Sequence, residues 1–221
     1  EEESSRVEVE DDQTLIIIDT PIAVTEADNT LVYTTMPLGI IVTKSSVVTI
    51  CLNQITAVED VAQGVVRNVQ TAMKTRFLLM LLLRVAQSFL FRLKHINKLT
   101  SQMESELHRS MQNKKLVQMT GLQKSLVYFS TSLKANEITL EKIYRGRVIK
   151  LYEEDQDLLD DVLIEIHQAI EMCNIYSNIL SGTMDAFASV ISNNLNIVMK
   201  VLTVITIVMA IPNIIFGFYG M

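Results

Sequence analysis

Tryptophan is absent from the 221 residues, cysteine occurs twice, histidine and proline three times each, and glycine seven times. Each shortage excludes something. Cys51 and Cys173 have no CxxC or Cys/His spacing, so they frame neither a disulfide scaffold nor a zinc ribbon, and both read as buried thiols in a reducing compartment. His95, His108 and His167 fall at no metal-ligand spacing. With no phosphate-binding glycine loop and no strand-borne nucleophile, the chain does not read as an enzyme and calls for no organic cofactor. The opening EEESSRVEVEDD lacks the basic lead-in of an export signal.

Charge is missing in two revealing places. Leu151 to Met199 holds nine acids and no Lys or Arg, whereas Arg84 to Lys150 holds 13 of the 19 basic residues against four acids. That distribution suits antiparallel helices that pair, or equally two separately solvated faces. The net charge of −6 argues against nucleic acid as a partner. From Val201 to Met221 no charged residue occurs at all. At ~1.5 Å per residue, about 20 such residues cross a ~30 Å hydrocarbon layer. A 49% hydrophobic content agrees that part of the chain belongs to a bilayer.

What is present divides in two. RVEVE, TLIIID, PIAV, TLVYTT, LGIIVT and SVVTICL are short β-rich runs, with a hairpin signal in TEADN. From about Val58 the pattern is helical. Leu78 to Leu83 is apolar but short and flanked by Arg76 and Arg84, which predicts a buried core helix rather than a span. Helix breaks are expected near Asn113, near Thr131 to Asn136 and at Tyr144 to Gly146. From Glu153, whose neighbouring acids suit a helix start, no strong breaker occurs before Pro212. The fold class expected is an α/β domain followed by long helices, the last a stalk continuing into a transmembrane helix. Residues 1–75 form the α/β part, 76–152 its antiparallel helices, 153–200 the stalk and 201–221 the span.

The span is not uniformly apolar. Thr203, Thr206, Ala210, Asn213, Gly217 and Gly220 follow at steps of three and four, and Met199, Asn196, Ser192, Ser189 and Asp185 continue the stripe in phase. A sustained 3.5-residue repeat belongs to a helix in a left-handed bundle. Small-residue packing would account for Ser, Ala and Gly, but not for rings of Asp and Asn. The reading favoured is a water-filled pore lined by several copies of the helix. Carboxylate, amide and hydroxyl oxygens suit a hard cation. Mg²⁺, which keeps its water shell, fits such rings better than a tight cage, in a chemistry other divalent ions share.

Tyr219-Gly220-Met221 after a span resembles the start of the YGMN signature of CorA-type magnesium channels, and NIVMKVLTVITIVMAIP resembles their first transmembrane helix. RVEVEDDQTLIII, PLGIIVTKSSVVTI and SGTMDAFASVISNNLN resemble their cytoplasmic domain and stalk, so the likeness covers nearly the whole chain. The resemblance implies a homopentamer in the plasma (inner) membrane, with residues 1–200 cytoplasmic and two spans per subunit. It places Asp185, Asn196, Met199, Thr203, Gly220 and Met221 in the pore. It also places Asp161 at a regulatory Mg²⁺ site shared between subunits, with Glu26 or Asp28 as the partner carboxylate. It implies that the sequence continues with the asparagine of the signature and a second span. The function expected is Mg²⁺ uptake, closed by cytoplasmic Mg²⁺. The rivals are a Zn²⁺ or Co²⁺/Ni²⁺ transporter of the same superfamily and a membrane-tethered, non-conducting sensor or scaffold.

Overall fold

The computed structural model describes residues 3–11, 13–25, 31–65, 71–109, 113–145, 148–149 and 151–220. Four strands, β1 (Arg6–Glu10), β2 (Gln13–Thr25), β3 (Leu31–Thr43) and β4 (Val47–Ile50), form one antiparallel meander in chain order. Helices α1 (Thr56–Ala62), α2 (Lys74–Arg109), α3 (Asn113–Arg145) and α4 (Glu153–Phe218) follow. The chain separates into two compact units, Glu1–Leu180 and Ser181–Met221.

In the first unit the sheet buries one face through cross-strand pairs. Ile16 stands opposite Ile40 and Ile18 opposite Leu38, and all four are buried. Period-2 alternation puts these residues on the same side of the pleat, where α2 and α3 cover them. The helices contribute stripes of the complementary period. Leu78, Leu82, Val85, Phe89, Leu93 and Ile96 of α2 are buried, as are Met119, Leu122, Leu126, Phe129 and Leu133 of α3. The short apolar run at Leu78 is thus a core helix, as its length predicts.

Two sequence expectations are corrected here. Pro21 and Pro37 do not divide the β-rich runs into separate strands, because both lie inside continuous strands, opposite Thr35 and Asp19. The pairing of β1 with β2 ends at Ile17, and that of β4 with β3 ends at Gly39. Each proline therefore stands where its strand has a single neighbour, and a missing N–H is tolerated at such an edge. Nor is there a break at Thr131 to Asn136. Thr131 donates its hydroxyl to the carbonyl of Val127, and Asn136 spends its amide on β2, so α3 runs through both.

Ser125, Ser132 and Asn136 on α3 finish what the short outer strands leave open. The backbone N–H of Tyr33 donates to Ser125 Oγ at 3.0 Å, and Thr35 Oγ1 pairs with Ser132 Oγ at 2.8 Å. Ser5 Oγ donates to Asn136 Oδ1 at 2.8 Å, tying the chain ahead of β1 to the same helix. A third correction concerns the thiols. Cys173 is buried, but Cys51, just past the end of β4, is exposed.

Candidate functional site

α4 begins with its own cap. Asp155, buried at the third helical position, accepts from the N–H of Tyr152 at 3.4 Å, and its own N–H returns to the Tyr152 carbonyl at 2.9 Å. One of the acids in EEDQDLLDD is therefore a helix-capping group. In the first unit, Leu159, Val162, Ile166, Ala169 and Cys173 face the core. Asp157 and Asp161 fall off that stripe and are exposed. Among the described residues no group of three or more His, Cys, Asp or Glu is arranged to hold a metal ion. Glu26 and Asp28, the candidate partners of Asp161, lie outside the described residues, as does the hairpin turn that carries them.

The second unit carries the rest of α4, and its helical geometry is unbroken through Pro212 to Phe218. Asp185, Asn196, Met199, Thr203, Thr206, Ala210, Asn213 and Gly217 are all helical and all exposed. Their spacing of three and four consequently places them on one continuous face. Thr203 Oγ1 donates to the Met199 carbonyl and Thr206 Oγ1 to the Leu202 carbonyl, each at 2.8 Å. With their protons spent inside the helix, the two hydroxyls are left with lone pairs that can accept hydrogen bonds. Gly220 stands past the end of α4 at φ 69°, in the left-handed region that glycine adopts freely. Met221 lies outside the described residues.

On the remaining faces Val204, Ile205, Ile207, Val208, Met209 and Ile211 are exposed. α4 is the one helix among the described residues long and apolar enough to cross a membrane. An exposed apolar surface of this extent has no place in water.

The family model described as "CorA-like Mg2+ transporter protein" matches residues 1–221. The chain belongs to that family. Its sequence is 30% identical over 230 residues to the cobalt/magnesium transport protein CorA of Methanocaldococcus jannaschii, across all of this chain and 69% of that protein. The complete structure of the CorA magnesium transporter from the same organism resembles it with a TM-score of 0.84 at 29% identity, over 99% of this chain and 68% of the other. The cytoplasmic domain of ZntB from Vibrio parahaemolyticus shares the fold, with a TM-score of 0.65 at 11% identity over 89% of this chain and 75% of its own. The protein is thus a CorA-type divalent cation transporter and a membrane protein. The resemblance carried by Tyr219-Gly220-Met221 and the stalk pattern is to the right family.

Several polar arrangements in this CorA-type chain escape sequence reasoning because their members are far apart. Tyr33 Oη meets His95 Nδ1 at 2.5 Å, 62 residues away. Burial pushes the Tyr33 hydroxyl above its ordinary value, with Arg92 pulling the other way. His167 Nε2 meets Glu137 Oε1 at 2.6 Å between α4 and α3. The Cys173 thiol donates to the Leu126 carbonyl at 3.1 Å, and burial raises its pKa to about 11.

Proposed function

We propose that copies of this chain assemble as a homo-oligomer, a pentamer, whose α4 helices line a pore for Mg²⁺. The single observation that carries this reading is the exposed face from Asp185 to Gly217 on one uninterrupted helix, with oxygen acceptors outermost. The apolar faces meet lipid, and the acceptor face meets water and the ion. Asp185 would gather cations ahead of the bilayer. The amide of Asn196 and the hydroxyls of Thr203 and Thr206 would accept from the water shell of an ion that dehydrates reluctantly. Met199, Ala210, Gly217, Gly220 and Met221 complete the lining. No Cys or His lies on this face, which disfavours zinc as cargo. The relative named for cobalt and magnesium together supports Co²⁺ as a second ion.

In this reading residues 1–200 are cytoplasmic, with the α/β domain at 1–75, its antiparallel helices at 76–152 and the stalk at 153–200. The span at 201–221 lies in the plasma (inner) membrane. The exposed Asp161 of one subunit, with Glu26 or Asp28 of the next, would bind a regulatory Mg²⁺ that holds the ring closed. Reconstitution of the protein in vesicles containing a Mg²⁺-sensitive dye tests the conduction. Entry of Mg²⁺ well above that into protein-free vesicles is expected, and entry at the protein-free rate would leave α4 a tether rather than a pore.

A further inference from the structure

Two arginines of the first unit line one cleft, and neither forms an ion pair with a carboxylate among the described residues. Arg84 and Arg92, two turns apart on α2, line a cleft of about 320 Å³ between α2 and α1. That volume is at the lower end of small-ligand sites. Arg84 donates through Nη1 to Gln87 Oε1 at 3.3 Å, while its Nε is buried and has no partner. Arg92 is half-buried, and burial pushes its guanidinium below the ordinary value, with Tyr33 opposing. Among the described residues no carboxylate forms an ion pair with either one. A buried donor without an acceptor is costly, and more so where it is charged.

The rest of the lining says what would fit. Gln87 spends its amide oxygen on Arg84, which leaves its NH₂ as a donor, whereas Ser88 Oγ gives its proton to the Val85 carbonyl at 2.7 Å and has none left for an anion. Phe91, 73% exposed, offers an aromatic face at the rim, and Asp60 of α1 brings the one carboxylate. We propose that this cleft binds the phosphate group of a small phosphate-bearing anion, held by Arg84 and Arg92. Guanidinium forks match phosphate oxygens two at a time, and an oxyanion between them offsets two cations that have no carboxylate ion pair among the described residues. Asp60 admits a monoester with hydroxyl groups more readily than a bare, highly charged anion, and Phe91 gives a planar group a surface to stack on.

The inference is independent of the pore, and so is its test. Binding of AMP and of inorganic phosphate to the detergent-solubilised protein would be measured by equilibrium dialysis, at fixed ionic strength and without divalent ions. Saturable binding of AMP is expected, weakened at least tenfold by Arg92→Gln and less by Arg92→Lys, which keeps the charge but not the fork. Phe91→Ala should reduce AMP binding and leave phosphate binding unchanged. Equal affinity for phosphate and AMP keeps the arginine site and assigns it to the free anion. Arg84→Gln is the companion variant, and where it fails to fold the Arg92 pair decides. No saturable binding of either probe, or binding that Arg92→Gln leaves unaltered, overturns the proposal.

Discussion

The side-chain amide of Asn136 holds both backbone groups of Asp19, accepting from its N–H at 2.8 Å and donating to its carbonyl at 2.8 Å. Asp19 lies two residues beyond the last pairing of β1 with β2, so a helix side chain takes the place a strand would occupy. Replacing Asn136 with alanine removes both of these bonds, at about 1–3 kcal/mol each where water cannot reach the groups. Asn136→Ala should therefore destabilise the first unit and speed hydrogen exchange at the Asp19 amide. Asn136→Asp keeps the acceptor and should protect that amide while losing the bond to the carbonyl. Unchanged exchange at Asp19 in the alanine variant would show that the bond contributes nothing.

The same pair marks how far the sequence could be read. The α4 face was legible because its signal is local, with steps of three and four over 36 residues from Asp185 to Gly220. The β-rich runs were legible as strands for the same reason, through period-2 patterning. TLIIID and PIAV, and likewise TLVYTT and LGIIVT, looked like separate runs although each pair is one strand, because whether a proline there interrupts a strand depends on where its neighbours end, which is a property of pairing. Asn136 looked like a helix breaker because its partner is 117 residues away. The cleft of Arg84 and Arg92 was invisible, since the lack of an acceptor is a fact of three dimensions.

The two thiols differ enough to be told apart chemically. Cys51 is exposed, whereas Cys173 is buried with its pKa raised to about 11, through burial first and against the opposing pull of Lys134. Only the thiolate reacts. At pH 8 a thiol reagent should label Cys51 within minutes and reach Cys173 only when the first unit opens. Mass spectrometry of the labelled peptides reads both sites at once. The raised value also has a sign for stability. The unfolded thiol loses its proton near pH 9 while the native one retains it to about pH 11, so this group's contribution is complete below pH 9 and declines above it. Cys173→Ala should remove that part of the alkaline decline, read from unfolding midpoints between pH 8 and 10.5. Equal labelling rates for the two cysteines would contradict the burial.

The pore reading separates the faces of α4. Asn196→Leu and Thr203→Leu fill the acceptor face with apolar bulk and remove ligands for hydrated ions. Mg²⁺ entry into vesicles should fall at least tenfold, with the oligomer intact by size-exclusion chromatography. Ile205→Leu and Val208→Leu alter positions off that face, both exposed in the single chain and suited to lipid. Those two should leave entry within about twofold of the unaltered protein. Equal losses from both sets would make the face a packing seam.

Regulation can be tested without measuring flux. Asp161 is exposed on α4 with Asp157 one turn before it and Glu165 one turn after, so three carboxylates repel one another along one side of the helix. The described residues of one chain complete no metal cluster around them, and a second subunit would have to supply the remaining ligands. A divalent ion there would relieve the repulsion and cross-link neighbouring subunits. An ion that binds only the assembled state stabilises it by RT ln(1 + [L]/Kd), roughly 2.7 kcal/mol at 100 times Kd. The oligomer should therefore melt higher in Mg²⁺ than in EDTA at matched ionic strength. Asp161→Asn removes one charge at nearly constant volume, which eases the repulsion and weakens the ligand set together. It should raise the melting temperature in EDTA slightly and shrink the gain from Mg²⁺. The two changes have opposite origins, so a general loss of fold could not imitate the pair. A gain from Mg²⁺ that Asp161→Asn leaves whole would place regulation away from α4, and the acids at its start would be no more than a cap and a solvated face.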